Sequence, residues 1–425
     1  MEEKKQTAVF VPRKKEWLLV LLSTIAAYIY VSSIFQFPGE QSNFWIFNYW
    51  QWSDVMTIFV VFFLAAGASC AYINKIKIEK EHMIFMAFTV AGGFWFLIFR
   101  KNVDQDITGY LVLFLHLTAV YWLVSLGGKR LYNCLNECCI LDLLKGLFCF
   151  PAMHGYRLIL ACCNGAACLV NKSKRNQQQM KQALLGILFS IPLFLIVICL
   201  LVTADHTFWQ FCNNISSLAQ PNSLTIIQLI MTGIVALYLF GLFYGCFYVA
   251  SQGKTKKLTV APSVASGFMI LFLLVYTLFF VVKLGSIPAS LRQIEEGTLL
   301  TSTYARNGFF QLCWIASINF VIFTGIKWYA AERKKSLTVQ LSILGFQTLG
   351  FIILAFSRMQ FYIVNYGLTF KRVFTTWFMG VLFITFLLMI LSLMKKFNAV
   401  RLSVYLACTS FLILAYSNIP AWVYS

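Results

Sequence analysis

Long, unbroken apolar runs recur along this chain, separated by short polar stretches. They fall at residues 17–35, 53–73, 82–99, 107–126, 183–202, 224–249, 263–282, 306–328, 337–357, 373–394 and 400–417. Each is about 20 residues long, the length at which an α-helix crosses a hydrocarbon core roughly 30 Å thick. Strands of a membrane barrel would alternate apolar and polar residues, whereas these runs are continuously apolar. The pattern predicts an all-α, polytopic transmembrane bundle of eleven spans. The first run, WLLVLLSTIAAYIYVSSIF, follows PRKK as a signal peptide would. It is longer than an h-region and lacks a small-x-small cleavage site, so it is read as a retained first span.

Composition agrees. The chain of 425 residues is 60% hydrophobic and 12% charged, against about 25% charged in a soluble domain. The net charge of +19 would suggest nucleic acid in a soluble protein. In a membrane chain basic loops fix orientation instead, and no nucleic-acid partner is expected. With the N-terminus placed in the cytoplasm, the inner segments hold 26 Lys and Arg and the outer segments 8, while the acids divide eight to seven. That imbalance is the positive-inside signature. It predicts a cytoplasmic N-terminus and an outer C-terminus, with membrane lipids around the bundle.

Three regions follow: a four-span bundle over 1–126, a basic, cysteine-rich cytoplasmic segment over 127–182, and a seven-span bundle over 183–425. Within 127–182, Leu131, Leu135, Leu141, Leu144 and Phe148 recur at near-helical spacing. This predicts one or two amphipathic helices lying in the inner interface, separated at Pro151 and Gly155. The segment is also the expected contact for a cytoplasmic or membrane protein partner. Its seven cysteines, Cys134, Cys138, Cys139, Cys149, Cys162, Cys163 and Cys168, form no CxxC, and His154 has no ligand spacing to them. They read as small apolar filler, so neither metal nor cofactor is expected. HExxH, Walker A, GxSxG and GxGxxG are all absent, and no catalytic residue is assigned. A single GxxxG, at Gly241 and Gly245, permits close helix packing.

Polar residues inside apolar spans carry the rest of the information. His116 lies mid-way along the fourth span. An ionisable group there is either a functional site or a neutral histidine hydrogen-bonded between helices. Asp104 and Asp106 follow the third span and are either a divalent-metal pair or a solvated loop. Lys283 ends the seventh span and can snorkel to the surface. On the ninth span Gln340, Gln347 and Arg358 fall within about 20° of one line at about 100° per residue. Tyr362 joins them within about 40° if the helix continues. Lipid offers such a line no partners, so it should face protein or water. The eighth span places Asn307 and Gln311 four residues apart on one face, after Arg306, with Asn319 further inward. Lys371 and Arg372 open the tenth span on the same side. An interhelical network and a binding site both account for this pattern.

The segments YARNGFFQL and SRMQFYIVNYGLTFKRVFTTWF resemble a family of bacterial polytopic membrane proteins of unknown function, the DUF4153/DUF4173 type. The matching positions are Tyr304, Ala305, Arg306, Gly308, Phe309, Phe310 and Leu312, then Arg358, Tyr362, Ile363, Tyr366, Gly367, Leu368, Thr369, Arg372, Trp377 and Phe378. TADHTFWQF, from Thr203 to Phe211, is similar to a further stretch, and the likeness covers roughly 180–395. It implies a bacterial inner membrane and no particular activity. The shared residues cluster at the outer ends of spans eight to ten.

Three classes of function fit. The first is a transporter or a lipid- or anion-binding protein, its site formed by Arg306, Asn307, Gln311, Gln347, Arg358, Tyr362, Tyr366 and Arg372. Guanidinium forks there would receive a carboxylate or phosphate. The second is a non-enzymatic sensor or scaffold acting through 127–182. The third is a transferase on lipid-linked substrates, resting on Asp104 and Asp106 together with the outer arginine cluster.

Overall fold

The computed structural model describes residues 14–35, 52–99, 105–131, 134–169, 223–249, 261–295, 309–329, 335–395 and 397–417. They form helices α1 (Lys14–Phe35), α2 (Trp52–Ile73), α3 (Lys80–Ile98), α4 (Gln105–Leu126), α5 (Cys139–Leu144), a π-wound turn (Lys145–Cys149), α6 (Phe150–His154) and α7 (Tyr156–Leu169). Then come α8 (Ser223–Phe247), α9 (Pro262–Glu295), α10 (Phe309–Tyr329), α11 (Lys335–Tyr366), α12 (Phe370–Met394) and α13 (Ala399–Tyr416). Among the described residues there is no strand. Ten of these helices are long and apolar enough to cross a membrane. The predicted fifth span, 183–202, lies outside the described residues.

Two features suit this surface to lipid. Large apolar side chains point outward along the helices; on α9 these include Phe268, Leu271, Leu274, Val275, Leu278 and Val281. Water would not tolerate so continuous an apolar surface. Hydroxyls in the spans bond back to their own helix: Thr57 to the Ser53 carbonyl, Thr89 to Phe85, Thr232 to Gln228 and Thr324 to Phe320. Hydrocarbon supplies no partner for a hydroxyl, so the helix must.

The chain forms two compact units. The first comprises Met1–Asn102, Leu115–Lys129 and Leu141–Ser251. Here α1 packs on α8 and α2, and α2 on α3. The 127–182 expectation of helices parted at Pro151 and Gly155 is met only in part. Gly155 keeps α-helical dihedrals, and the chain from 150 to 155 runs antiparallel along α8. A Cβ at Gly245 would sit 2.5 Å from Phe150, one at Gly241 2.8 Å from the backbone of Pro151 and Gly155, and one at Gly155 2.9 Å from the Leu237 carbonyl. Leu237 lies about 15 Å from the end of α8 at 1.5 Å per residue. A helix lying flat across the interface would touch only the last turn of α8. The glycine face of α8 draws this one up alongside it. Its other side leaves Ile140, Leu141, Leu144, Phe148 and Met153 exposed, whereas Leu135, expected on the same apolar face as Leu141, Leu144 and Phe148, is buried.

The second unit comprises Val103–Phe114, Arg130–Ile140 and Gln252–Ser425. Helix α11 lies at its centre, packed on α9, α10 and α12, and α13 packs on α12. Phe323, Leu344, Phe351, Phe386 and Met389 fill the core. Segment 130–140 is tied to the ends of α10 and α13. Glu137 pairs with Lys327 at 3.0 Å, with side chains only 14% and 8% exposed. Asn398 donates to the Leu135 carbonyl at 2.6 Å and accepts from the Arg401 N–H, capping α13. Lys327 also donates to Ser392 at 3.0 Å.

Candidate functional site

Helix α11 runs unbroken from Lys335 to Tyr366, so the polar line reaches Arg358 and Tyr362 on one rigid rod. Its lower part faces α9. Gln340 and Ser266 exchange hydrogen bonds at 2.8 and 3.0 Å. The Gln347 amide donates to Thr277 Oγ1 at 2.9 Å and to the Leu273 carbonyl at 3.2 Å. A second chain of bonds crosses three helices. Tyr276 donates to Asn319 Oδ1 at 2.7 Å, and Asn319 Nδ2 donates to Thr348 Oγ1 at 2.9 Å. Thr348 in turn donates to the Leu344 carbonyl at 2.7 Å. These amides are engaged in holding α9, α10 and α11 together.

The upper part differs. Arg358 is 7% exposed, a guanidinium withdrawn into the fold within the last turns of α11. Tyr362 and Tyr366 follow, their rings 5.0 Å apart. Gly367 closes α11 with φ +74° and a 2.8 Å bond from its N–H to the Ile363 carbonyl. Only glycine takes that left-handed cap conformation at low cost. Arg372, in the first turn of α12, reaches back over this turn. Its guanidinium carbon stands 4.2 Å from the Tyr362 ring centroid, and Nη1 donates to the Tyr366 carbonyl at 2.8 Å and to the Gly367 carbonyl. A cation at the C-terminal end of a helix also meets the negative end of its dipole. The YGLTFKR stretch is therefore a locked helix-to-helix turn.

An aromatic layer flanks that turn. Tyr110 stacks on Phe374 at 4.0 Å, Phe374 meets Trp377 at 5.2 Å, and Trp377 meets Phe411 at 5.6 Å. Trp377 donates to Ser410 at 3.1 Å. Amphipathic rings favour the headgroup level of a bilayer. The charge here is one-sided: from residue 333 to residue 425 the sequence contains no Asp or Glu.

The structure brings Tyr362, Tyr366 and Arg372 together, with Arg358 one turn below Tyr362 on the same helix. Gln347 belongs to the α9 contact. Gln311 is exposed, not turned into the bundle, because the buried face of α10 follows Leu312, Ala316, Asn319 and Phe323. Arg306, Asn307 and Asp104 lie outside the described residues. His116 is hydrogen-bonded to Tyr30 at 3.0 Å. Among the described residues no group of three His, Cys, Asp or Glu could hold a metal ion. Sequence reasoning missed Ser266, Thr277, Tyr276 and Thr348 as partners of the amides, since hydroxyls in apolar spans are too common to single out. The cap made by Arg372 was legible in principle, as a glycine at a helix end followed five residues later by an arginine.

These features define an all-helical, multi-pass membrane protein whose cations and tyrosines gather at the α11–α12 turn. A family profile described as Domain of unknown function (DUF4153) matches residues 83–425, and the chain belongs to that family. The match begins within α3 and takes in far more than the motif-bearing region. No curated protein and no solved structure matches the chain.

Proposed function

We propose that this is a multi-pass protein of the bacterial inner membrane that binds a phosphate-type anion at the α11–α12 turn, with Arg358 and Arg372 as cations and Tyr362 and Tyr366 as its aromatic wall. The observation that carries the reading is the burial of Arg358 one turn below Tyr362, whose ring Arg372 covers at the arginine-capped turn. A guanidinium offers a planar fork matched to phosphate or carboxylate oxygens. The aromatic layer supports a site at headgroup depth, where such rings are enriched. Binding is favoured over passage of a polar solute because Gln340 and Gln347 on α11, and Asn319 on α10, are bonded to neighbouring helices.

The test is lipid retention by native mass spectrometry after purification from nanodiscs. Wild-type protein should retain phosphatidylglycerol over phosphatidylcholine. Arg358→Gln and Arg372→Gln should each abolish the preference. Competition by inorganic phosphate alone would assign the site to a free anion instead of a headgroup. Equal retention of both lipids by all three proteins, with no effect of phosphate, overturns the proposal.

A further inference from the structure

A second site lies in the first unit, apart from the anion reading. A partly open cavity of about 210 Å³ is lined by α1, α2, α3, α4 and α8, with walls that include Phe59, Phe63, Ala119, Leu239 and Leu242. Polar atoms enter it from a few side chains. Tyr30 and His116 meet through the phenol oxygen and Nε2 at 3.0 Å, their rings edge-on at 5.4 Å. Tyr238 brings a second phenol to the lining. Thr89 also lines it, but its hydroxyl oxygen is occupied, lying 2.9 Å from the Phe85 carbonyl and 3.2 Å from Thr118 Oγ1.

Size and chemistry narrow the occupant. An apolar cavity of about 150 Å³ takes up benzene, so this one admits a substituted ring. Its walls suit an aromatic face, since aromatic pairs attract at centroid separations of about 4.5–7 Å and Phe59 already meets Tyr30 at 4.9 Å, the rings tilted by 52°. The Tyr30–His116 pair has a role to spare in either histidine tautomer. With the proton on Nε2, the Tyr30 oxygen accepts it and its own hydrogen can reach a ligand carbonyl. With Nε2 as acceptor, Tyr30 donates to it and keeps a lone pair for a ligand hydroxyl. A mostly apolar pocket with a few convergent polar groups is the usual form of a small-molecule site.

We propose that this cavity binds a lipophilic ring carrying one hydroxyl or carbonyl oxygen, of the phenol or quinone class, with that oxygen held by the Tyr30–His116 pair. The full-length protein in nanodiscs would be titrated with 4-(trifluoromethyl)phenol and with trifluoromethylbenzene, each followed by fluorine NMR. The phenol should give a saturable bound resonance, about fivefold tighter than the hydrocarbon, the effect of one net hydrogen bond. Tyr30→Phe and His116→Phe should reduce phenol binding to the hydrocarbon's level. Ala119→Phe, which fills the cavity, should abolish both, and Ala119→Leu gives the same answer with a smaller insertion where the larger one prevents folding. Absence of a saturable resonance, equal affinity for the two probes, or full binding by a folded Ala119 variant each overturns the proposal.

Discussion

Arg372 stands over the ring of Tyr362 with its guanidinium carbon 4.2 Å from the centroid, so the first turn of α12 caps the helix that precedes it. Three interactions converge on one side chain: a cation–π contact, hydrogen bonds to two carbonyls and the helix dipole. Arg372→Gln should lower stability by about 1–3 kcal/mol, the range for losing hydrogen bonds to a charged group. Arg372→Lys should recover only part, because an ammonium cannot bridge two carbonyls and lie flat on the ring. Thermal unfolding of the purified variants checks both. Unchanged melting of Arg372→Gln would show the cap to be inert.

The glycine face of α8 gives a sharper contrast. At Gly241 a methyl group would meet backbone atoms of Pro151 and Gly155 at 2.8 Å, which cannot swing aside. Gly241→Ala should destabilise by about 1–3 kcal/mol through overpacking. At Gly233 nothing lies within 4 Å. Gly233→Ala should be neutral or stabilising by up to about 1 kcal/mol, from helix propensity. Equal effects at the two positions would refute the close approach of 150–155 to α8.

Glu137 and Lys327 form an ion pair largely out of solvent. Removing one partner strands the other, at a cost of about 3–5 kcal/mol. Glu137→Gln or Lys327→Met alone should therefore cut expression and melting temperature markedly. The double change Glu137→Leu with Lys327→Met should restore much of the loss, since apolar replacements often match a buried pair. A double-mutant cycle in detergent measures the coupling, and strict additivity would show that the pair contributes no mutual stabilisation.

His154 gives a pH dependence. It is buried against the ring of Tyr244, 5.7 Å away, near Arg157, which donates to the Tyr244 hydroxyl at 2.5 Å. Burial, and then the Arg157 charge, lower its pKa from the usual 6.5. The folded protein thus holds the imidazole neutral, while the unfolded chain binds a proton more readily. Stability is fully present above pH 6.5 and declines as the pH falls through the folded-state value. His154→Phe should flatten the acid limb of a melting-temperature profile between pH 7 and pH 5. An identical slope in that variant would assign the acid sensitivity elsewhere.

Hydrophobic periodicity made most of the fold legible. Helix positions follow from apolar length alone, because hydrocarbon leaves a buried backbone no alternative to the helix. The line of Gln340, Gln347 and Arg358 was likewise correct in facing protein. What it faces was not legible, since the partners Ser266, Thr277 and Thr348 are ordinary residues of apolar spans. A weak GxxxG proved to be a seat for Pro151 and Gly155, a contact between segments some ninety residues apart that no local pattern encodes. The cavity at His116 had only its histidine as a signal, because empty space has no residue of its own.

The wiring of hydroxyls and amides has a mechanical consequence. Most hydroxyls in the spans bond within their own helix, so most neighbouring helices share at most a polar bond or two. The trio α9, α10 and α11 is cross-linked more densely, by Ser266–Gln340, Thr277–Gln347 and Tyr276–Asn319–Thr348. This trio would travel as one rigid strut during any motion of the second unit, and its amides should be the last there to exchange with deuterium.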